Sequence, residues 1–354
     1  MYNTNINNAL LSWYDIHKRK LPWREINDPY KIWLSEVMLQ QTQVNTVIPY
    51  YNKWIKKYPT LSSVANSKID DLLKLWEGLG YYSRCKNFHK ACQIIMSNYS
   101  GNIPTDIIKF SSLPGVGPYI SSAVMSIAYN KPYPAIDTNI KRVMYRYLGL
   151  KNETNYNSKR IYSTLSTFIN LRPGDIIQSL MDIGSSICKT NLVECEYCPL
   201  SNSCKTFIKG TSPMYAAKNK IKKKLPEHNF IACMIKKNNT FLIVKRKIDE
   251  ALGGLWELPM IKVEQINDNS LLKISSKNKY NLNFKINNKI AIINHSFSHY
   301  RMKISLFNCE IIKTKLSNDS DINRNKWITR KEINNYAFHK ANHKLFALIE
   351  KNNV

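Results

Sequence analysis

Four cysteines fall close together in the chain, as Cys188-x6-Cys195-x2-Cys198-x5-Cys204. An intracellular chain seldom holds disulfides, so a group this tight reads as four thiolate ligands for a metal. Zinc and a 4Fe–4S cluster both suit such a set, and the spacing alone leaves the two open. The other cysteines, at 85, 92, 233 and 309, stand in apolar context and read as core. Two carboxylates could share acid–base work. Glu36 falls in a predicted helix, 30–44, where Glu36, Gln40 and Gln43 would share one face at i, i+4 and i+7, flanked by Trp33, Val37 and Leu39. Apolar neighbours push a carboxyl towards neutrality, the range a general acid needs. Asp137, in Pro134-Ala135-Ile136-Asp137-Thr138-Asn139, is placed as the N-cap of a helix over 138–148. Taken alone, the first is equally a polar stripe and the second a plain cap.

Leu113-Pro114-Gly115-Val116-Gly117 follows one predicted helix and opens another. Glycines there let the backbone approach a phosphate, whose charge the free N–H groups and helix dipole stabilise. That is the hairpin of a helix-hairpin-helix DNA-binding motif, with an ordinary tight turn as the alternative.

The elements that must position these residues differ between the two parts of the chain. Apolar residues recur at helical spacing over 6–16, 30–44, 46–57, 69–76, 84–98, 119–130, 137–148, 158–169 and 174–187. Beyond 226 the pattern changes to alternating runs at 229–235, 240–246, 289–297 and 302–312, closed by a helix at 341–350. The stretch 211–225 carries five lysines and no acid, and reads as a solvated tether. The predicted division is a mainly α region over 1–210, a basic linker over 211–225 and an α+β domain over 226–354.

Composition bounds the partners. The 354 residues hold 52 Lys+Arg against 25 Asp+Glu, a net charge of +27, and the pI is ≈ 9.7. Such a balance points to a polyanion, nucleic acid ahead of a membrane surface, although the Asn, Ile and Lys richness throughout also contributes lysines. Apolar runs stay far short of a bilayer span, and Met1 to Leu10 show neither a basic n-region nor a long apolar run. A soluble intracellular protein without a signal peptide or membrane partner is expected.

Together, the LPGVG hairpin, Asp137 and the four-cysteine loop resemble the endonuclease III superfamily of base-excision DNA glycosylases. Within it, WLSEVMLQQTQV (33–44) and GLGYYSR (78–84) are similar to the adenine DNA glycosylases. The likeness covers about 10–210 closely and continues more loosely through His295-Ser296-Phe297-Ser298-His299. It implies two helical lobes around a cleft, followed by a Nudix-like domain, and it selects a 4Fe–4S cluster over zinc for Cys188, Cys195, Cys198 and Cys204. It implies hydrolysis of the N-glycosidic bond of adenine paired with 8-oxoguanine or guanine in double-stranded DNA, by a monomeric, cytoplasmic, nucleoid-associated bacterial enzyme.

The resemblance also distributes roles. Glu36 would protonate the departing adenine, Asp137 would stabilise the sugar cation, Asn139 would orient that carboxylate, and Tyr119 would stand in the pocket. Trp23, Arg24 and Gln178 would line the adenine pocket. Gln40 and Tyr81 would act on the partner-base side, Gly115 and Gly117 would meet phosphate, and Phe297, Ser298 and His299 would read 8-oxoguanine. Two positions depart from the pattern: Thr138 stands where the family has Gly, and Ile120-Ser121 where it has Thr-Ala. A lyase of the endonuclease III type would want Lys at 119, so Tyr119 argues against it. An active Nudix hydrolase would need a run of carboxylates after Gly253-Gly254-Leu255-Trp256-Glu257-Leu258-Pro259, and Ile266-Asn267-Asp268-Asn269 does not supply it. A non-catalytic DNA-binding protein would not need both Glu36 and Asp137.

Overall fold

The computed structural model describes residues 2–212, 225–265, 282–297, 300–314 and 324–351. Ser298, His299 and residues 213–224 of the basic stretch lie outside the described residues. The helices are α1 (Tyr2–His17), α2 (Pro29–Leu39), α3 (Val44–Lys57), α4 (Leu61–Ala65), α5 (Ile69–Leu75), α6 (Ser83–Asn98), α7 (Ile107–Ser111), α8 (Pro118–Tyr129), α9 (Thr138–Leu148), α10 (Asn155–Phe168), α11 (Pro173–Ser186), α12 (Lys205–Ile208) and α13 (Lys340–Lys351). Each helix expected from spacing is present. The additional α4, α7 and α12 are only four or five residues long, too short to show a helical period. Among the described residues, no helix is long and apolar enough to cross a membrane.

One expectation needs correcting. The predicted helix 30–44 ends at Leu39, because Gln41 adopts φ 55° and breaks the hydrogen-bonded path. Gln40 is then a C-cap and Gln43 the residue before α3, so Gln43 does not share a helical face with Glu36. A left-handed residue inside a polar run leaves no mark on the apolar period, which continues across the break.

The chain forms two compact units, Met1–Asn66 with Asn87–Lys220, and Ser67–Lys86 with Ile221–Val354. In the first, an aromatic core joins Trp33 of α2, Trp54 of α3, Phe88 of α6 and Phe110 of α7. Trp33 meets Phe88 and Phe110 edge-on at 4.5 and 5.4 Å. An aliphatic core gathers Leu10 of α1, Ala123 of α8, Ile140 and Met144 of α9, Leu165 of α10, and Ile176, Leu180 and Ile183 of α11. Each fully buried Leu or Ile contributes about 1.5–3 kcal/mol. Gly184 and Gly115 are among the glycines that permit close approach. A Cβ on Gly184 of α11 would stand 2.7 Å from Asn139 Cβ, so glycine lets α11 lie against the start of α9. Gly115 takes φ 77° in the hairpin, where a Cβ would meet Asn87 at 2.9 Å.

The second unit is a mixed sheet of β1 (Glu227–Lys237), β2 (Thr240–Lys245), β3 (Trp256–Glu257), β4 (Met260–Val263), β5 (Leu282–Ser296), β6 (Arg301–Thr314) and β7 (Asn325–Ile328). Its order is β3-β2-β1-β6-β5, with β4 on β1 and β7 on β2. β1 and β6 run parallel and the other pairs antiparallel. Both faces of the centre are covered: Ala232 and Met234 join Leu345 and Phe346 of α13, while Ile231, Cys233 and Ile235 join Phe307 and Cys309. That double cover explains a run of five buried residues in β1. The unit also includes Ser67–Lys86, which the sequence reading grouped with 1–210. Polar contacts hold it there. Lys245 pairs with Asp70 at 2.6 Å, and Glu77 accepts from Phe338 N at 2.7 Å and pairs with His343 at 2.6 Å. Lys86 Nζ donates to the Ile248 and Gly253 carbonyls at 2.9 and 3.2 Å.

Candidate active site and cysteine loop

Asp28 caps α2 by accepting from Tyr30 N and Lys31 N, and Pro29 opens the helix. Two turns on, Glu36 is 5% exposed. Tyr119, the second residue of α8 directly after the hairpin, donates its hydroxyl to Glu36 Oε2 at 2.8 Å. Burial pushes the Glu36 carboxyl up to about 7; the Asp137 charge adds to this, while the Tyr119 hydroxyl and Arg24 oppose it. Such a group can carry a proton near neutrality and give it up on demand.

Asp137 caps α9, accepting from Ile140 N at 2.6 Å through Oδ1. Asn139 Nδ2 donates to its Oδ2 at 3.1 Å. Burial raises this carboxyl, and the helix N–H groups and the Asn139 amide pull it back. Asn139 is fixed in turn by Arg142, which donates to Asn139 Oδ1 at 2.9 Å and to the carbonyls of Cys188 (2.8 Å) and Gly184. Two carboxyls thus stand in different surroundings: Glu36 accepts from the Tyr119 hydroxyl, whereas Asp137 accepts from a helix N–H and the Asn139 amide. Such an environment separates an acid from an anion.

Beside Glu36 lies a cavity of about 40 Å³. It is lined by Trp23 and Arg24, by Ser35, Glu36 and Leu39 of α2, by Ile127 of α8, and by Gln178 and Met181 of α11, among others. Trp23, Arg24 and Gln178, three residues far apart in sequence, are brought together on its walls.

The four cysteines of the 188–204 loop line one small cavity of about 20 Å³, together with Arg146, Tyr147 and Leu200. Two short 3₁₀ turns, Cys195–Tyr197 and Ser201–Ser203, bend the loop between these cysteines. The buried Arg146 donates to Cys188 Sγ at 3.1 Å and to the carbonyls of Cys188, Lys189 and Thr190. Burial raises the Cys188 thiol, and this guanidinium opposes the rise. Among the described residues, no group of three or more His, Cys, Asp and Glu side chains is placed to hold a metal ion. All four cysteines border the same small space. They fit a group with several attachment points, and the neighbouring guanidinium suits thiolate charge.

Residues 34–166 match the HhH-GPD superfamily of base excision DNA repair proteins, and residues 231–348 match the NUDIX domain. Over 324 residues, 90% of this chain and 89% of the relative, the protein is 34% identical to the adenine DNA glycosylase of Buchnera aphidicola subsp. Baizongia pistaciae (strain Bp). The chain belongs to the adenine DNA glycosylase family. The adenine DNA glycosylase of Buchnera aphidicola subsp. Acyrthosiphon pisum (strain APS) is 36% identical over 300 residues, 84% of each chain. Among solved structures, a thermostable thymine-DNA glycosylase superposes with TM-score 0.54 at 28% identity, covering 59% of this chain and 99% of that one. As a member of the adenine DNA glycosylase family, the chain is a DNA N-glycosylase with a helical helix-hairpin-helix region and a Nudix-like domain.

The remaining residues singled out from sequence fall as follows. Gln40 is half-buried at the end of α2, and Tyr81 holds φ 48° in the turn before α6, its ring 5.4 Å from the Arg84 guanidinium. Gly117 is the N-cap of α8 with φ −84°. Phe297 packs edge-on to His295 at 4.6 Å and beside Tyr300 at 5.3 Å. Sequence reasoning missed Arg142, Arg146 and Asp182. The first two carried a usable signal: positions 139, 142 and 146 lie on one face of α9, in line with Asn139.

Proposed function

We propose that this glycosylase excises adenine paired with 8-oxoguanine or guanine, leaving the strand intact. The observation that carries the reading is the buried Glu36 carboxyl, hydrogen-bonded by Tyr119, close to Asp137 and bordering the cavity of Trp23, Arg24 and Gln178. Adenine leaves readily only when its ring is protonated, and bond breaking puts positive charge on the deoxyribose. With Tyr119 donating to Oε2, a proton on Oε1 of Glu36 is free for a ring nitrogen of the base. Asp137, held by Ile140 N and Asn139, meets the sugar cation as an anion and stabilises it, or joins it transiently. A water then completes the hydrolysis. No amine stands at 119 to attack the sugar, which supports a monofunctional enzyme.

The base must leave the duplex first. The cavity has room for about three waters, less than a purine, so the base enters as the pocket widens. Gln40 and Tyr81 act on the partner-base side, and the hairpin at Gly115 and Gly117 takes a phosphate. Phe297, Ser298 and His299 read 8-oxoguanine from the Nudix-like domain. That domain recognises and does not hydrolyse: Glu257 of its Nudix-like segment is buried and tied to Arg246 at 2.7 Å. Cys188, Cys195, Cys198 and Cys204 would hold a 4Fe–4S cluster, which when bound cross-links the loop through thiolate bonds. The enzyme acts as a monomer in the cytoplasm, on nucleoid DNA.

Duplexes carrying A:8-oxoG, A:G and thymine glycol test this reading. Adenine loss from the first two, with strand breaks only after alkali, is expected. Efficient cleavage without alkali, or activity on thymine glycol alone, would overturn it.

A further inference from the structure

Asp182 has no part in the roles assigned above. It lies in α11, one helical turn after Gln178, and is 1% exposed. Its carboxylate accepts four hydrogen bonds: from Arg24 Nη1 at 2.6 Å and Nη2 at 2.9 Å, from Arg19 Nε at 2.5 Å, and from Arg19 N at 3.2 Å. The Arg24 contact is two-pronged, the planar fork that fixes a guanidinium in orientation as well as place. Arg24 Nη1 also donates to the Arg19 carbonyl at 3.2 Å, and the guanidinium lies 5.6 Å from the centre of the Tyr14 ring. Three of its five N–H donors are then used. Nε–H and one Nη2 hydrogen have no hydrogen-bond partner among the described residues, while Arg24 borders the cavity beside Glu36.

A buried carboxylate between two arginines is costly to desolvate, and as a mere tie between α11 and the 19–24 loop an apolar contact would serve as well. We infer that Asp182 is a positioning residue for excision. It sets the plane of Arg24 against the base pocket, presents the two spare N–H donors to ring nitrogens of an extruded purine, and balances the Arg24 charge beside Glu36. The inference rests on the adenine-excision reading and adds a residue to it. Tyr119, Asp137 and Arg24 are the groups that act on Glu36, with Asp182, Arg19 and Tyr14 behind Arg24. An unbalanced guanidinium there would favour the Glu36 anion and remove the proton the reaction needs.

The test uses the full chain as Asp182→Asn, Arg24→Gln and the double variant. The Glu36 carboxyl is followed by ¹³C NMR titration, assigned with Glu36→Gln, which needs no catalysis. Asp182→Asn should move this titration down by about 0.5–1 pH unit. Single-turnover excision from an A:8-oxoG duplex should fall by about 10²-fold, with its alkaline limb displaced by the same amount. A structural tie alone would reduce activity evenly at every pH and leave both titrations in place, and that result would overturn the inference. Breaking a buried pair can unfold a protein, so the double variant, which leaves two amides, supplies a second reading. Since Asp182 acts through Arg24, the double variant and Arg24→Gln should excise at rates within about threefold of each other. A further loss beyond tenfold would overturn the inference independently. Should the wild type prove inactive on adenine while the Glu36 titration still shifts in Asp182→Asn, the substrate reading fails and the clamp stands.

Discussion

Because burial holds the Glu36 carboxyl up at about 7, the proposed general acid would be loaded below that pH and empty above it. Single-turnover excision should therefore decline as pH rises through about 7, and Glu36→Gln should abolish both the limb and at least about 10²–10⁴-fold of the rate. The same shift has a consequence for stability. A carboxyl raised in the fold above its unfolded value contributes stability below the unfolded value, about 4.5, and loses it as pH rises through about 7. The full difference is about 3 kcal/mol. Thermal melts of wild type and Glu36→Gln should accordingly diverge between pH 5 and 8, with the variant the less pH-sensitive. Parallel melting curves across that range would show that Glu36 titrates as an ordinary exposed carboxyl.

At the scale of elements, the hairpin separates a structural glycine from one the protein itself does not require. Gly115 combines φ 77° with a blocked Cβ position, so Gly115→Ala should cost about 1–3 kcal/mol in denaturant unfolding. Gly117 has φ −84°, and a Cβ there would meet no atom within 4 Å. Gly117→Ala should leave stability within about 0.5 kcal/mol yet weaken duplex binding, since the added methyl would occupy the open space proposed for a phosphate. Unchanged affinity in Gly117→Ala would remove the hairpin from the DNA interface. In the cysteine loop, protein purified anaerobically should carry about four iron and four sulfide with a broad band near ~400 nm. Cys198→Ser should lose most of both. Stoichiometric zinc in place of iron would refute the cluster.

Across the whole molecule, the net charge of +27 predicts duplex affinity that falls steeply with salt, with a log–log slope of about −0.9 per phosphate contacted. A flat response would leave the lysines as composition alone. Deleting residues 226–354 should spare excision from A:G while sharply reducing the preference for 8-oxoguanine; a truncated enzyme with full preference would assign the Nudix-like domain another task. Sequence alone determined the long helices and the four longer strands, because apolar period is a local property that needs several residues to show; the short α4, α7, α12, β3, β4 and β7 carry too few. It also marked Glu36, Asp137 and the cysteine loop, whose types and spacing are readable within a few residues. Tertiary structure decided the rest. The turn at Gln41 that parts Gln43 from Glu36 is a backbone event without an apolar signature. The grouping of Ser67–Lys86 with the sheet rests on ion pairs and carbonyl contacts between residues more than a hundred positions apart, Asp70 with Lys245 among them. The fork between Arg24 and Asp182 spans 158 positions. Neither residue alone says that it is buried, and only packing of α11 against the start of the chain takes both out of water and makes them partners.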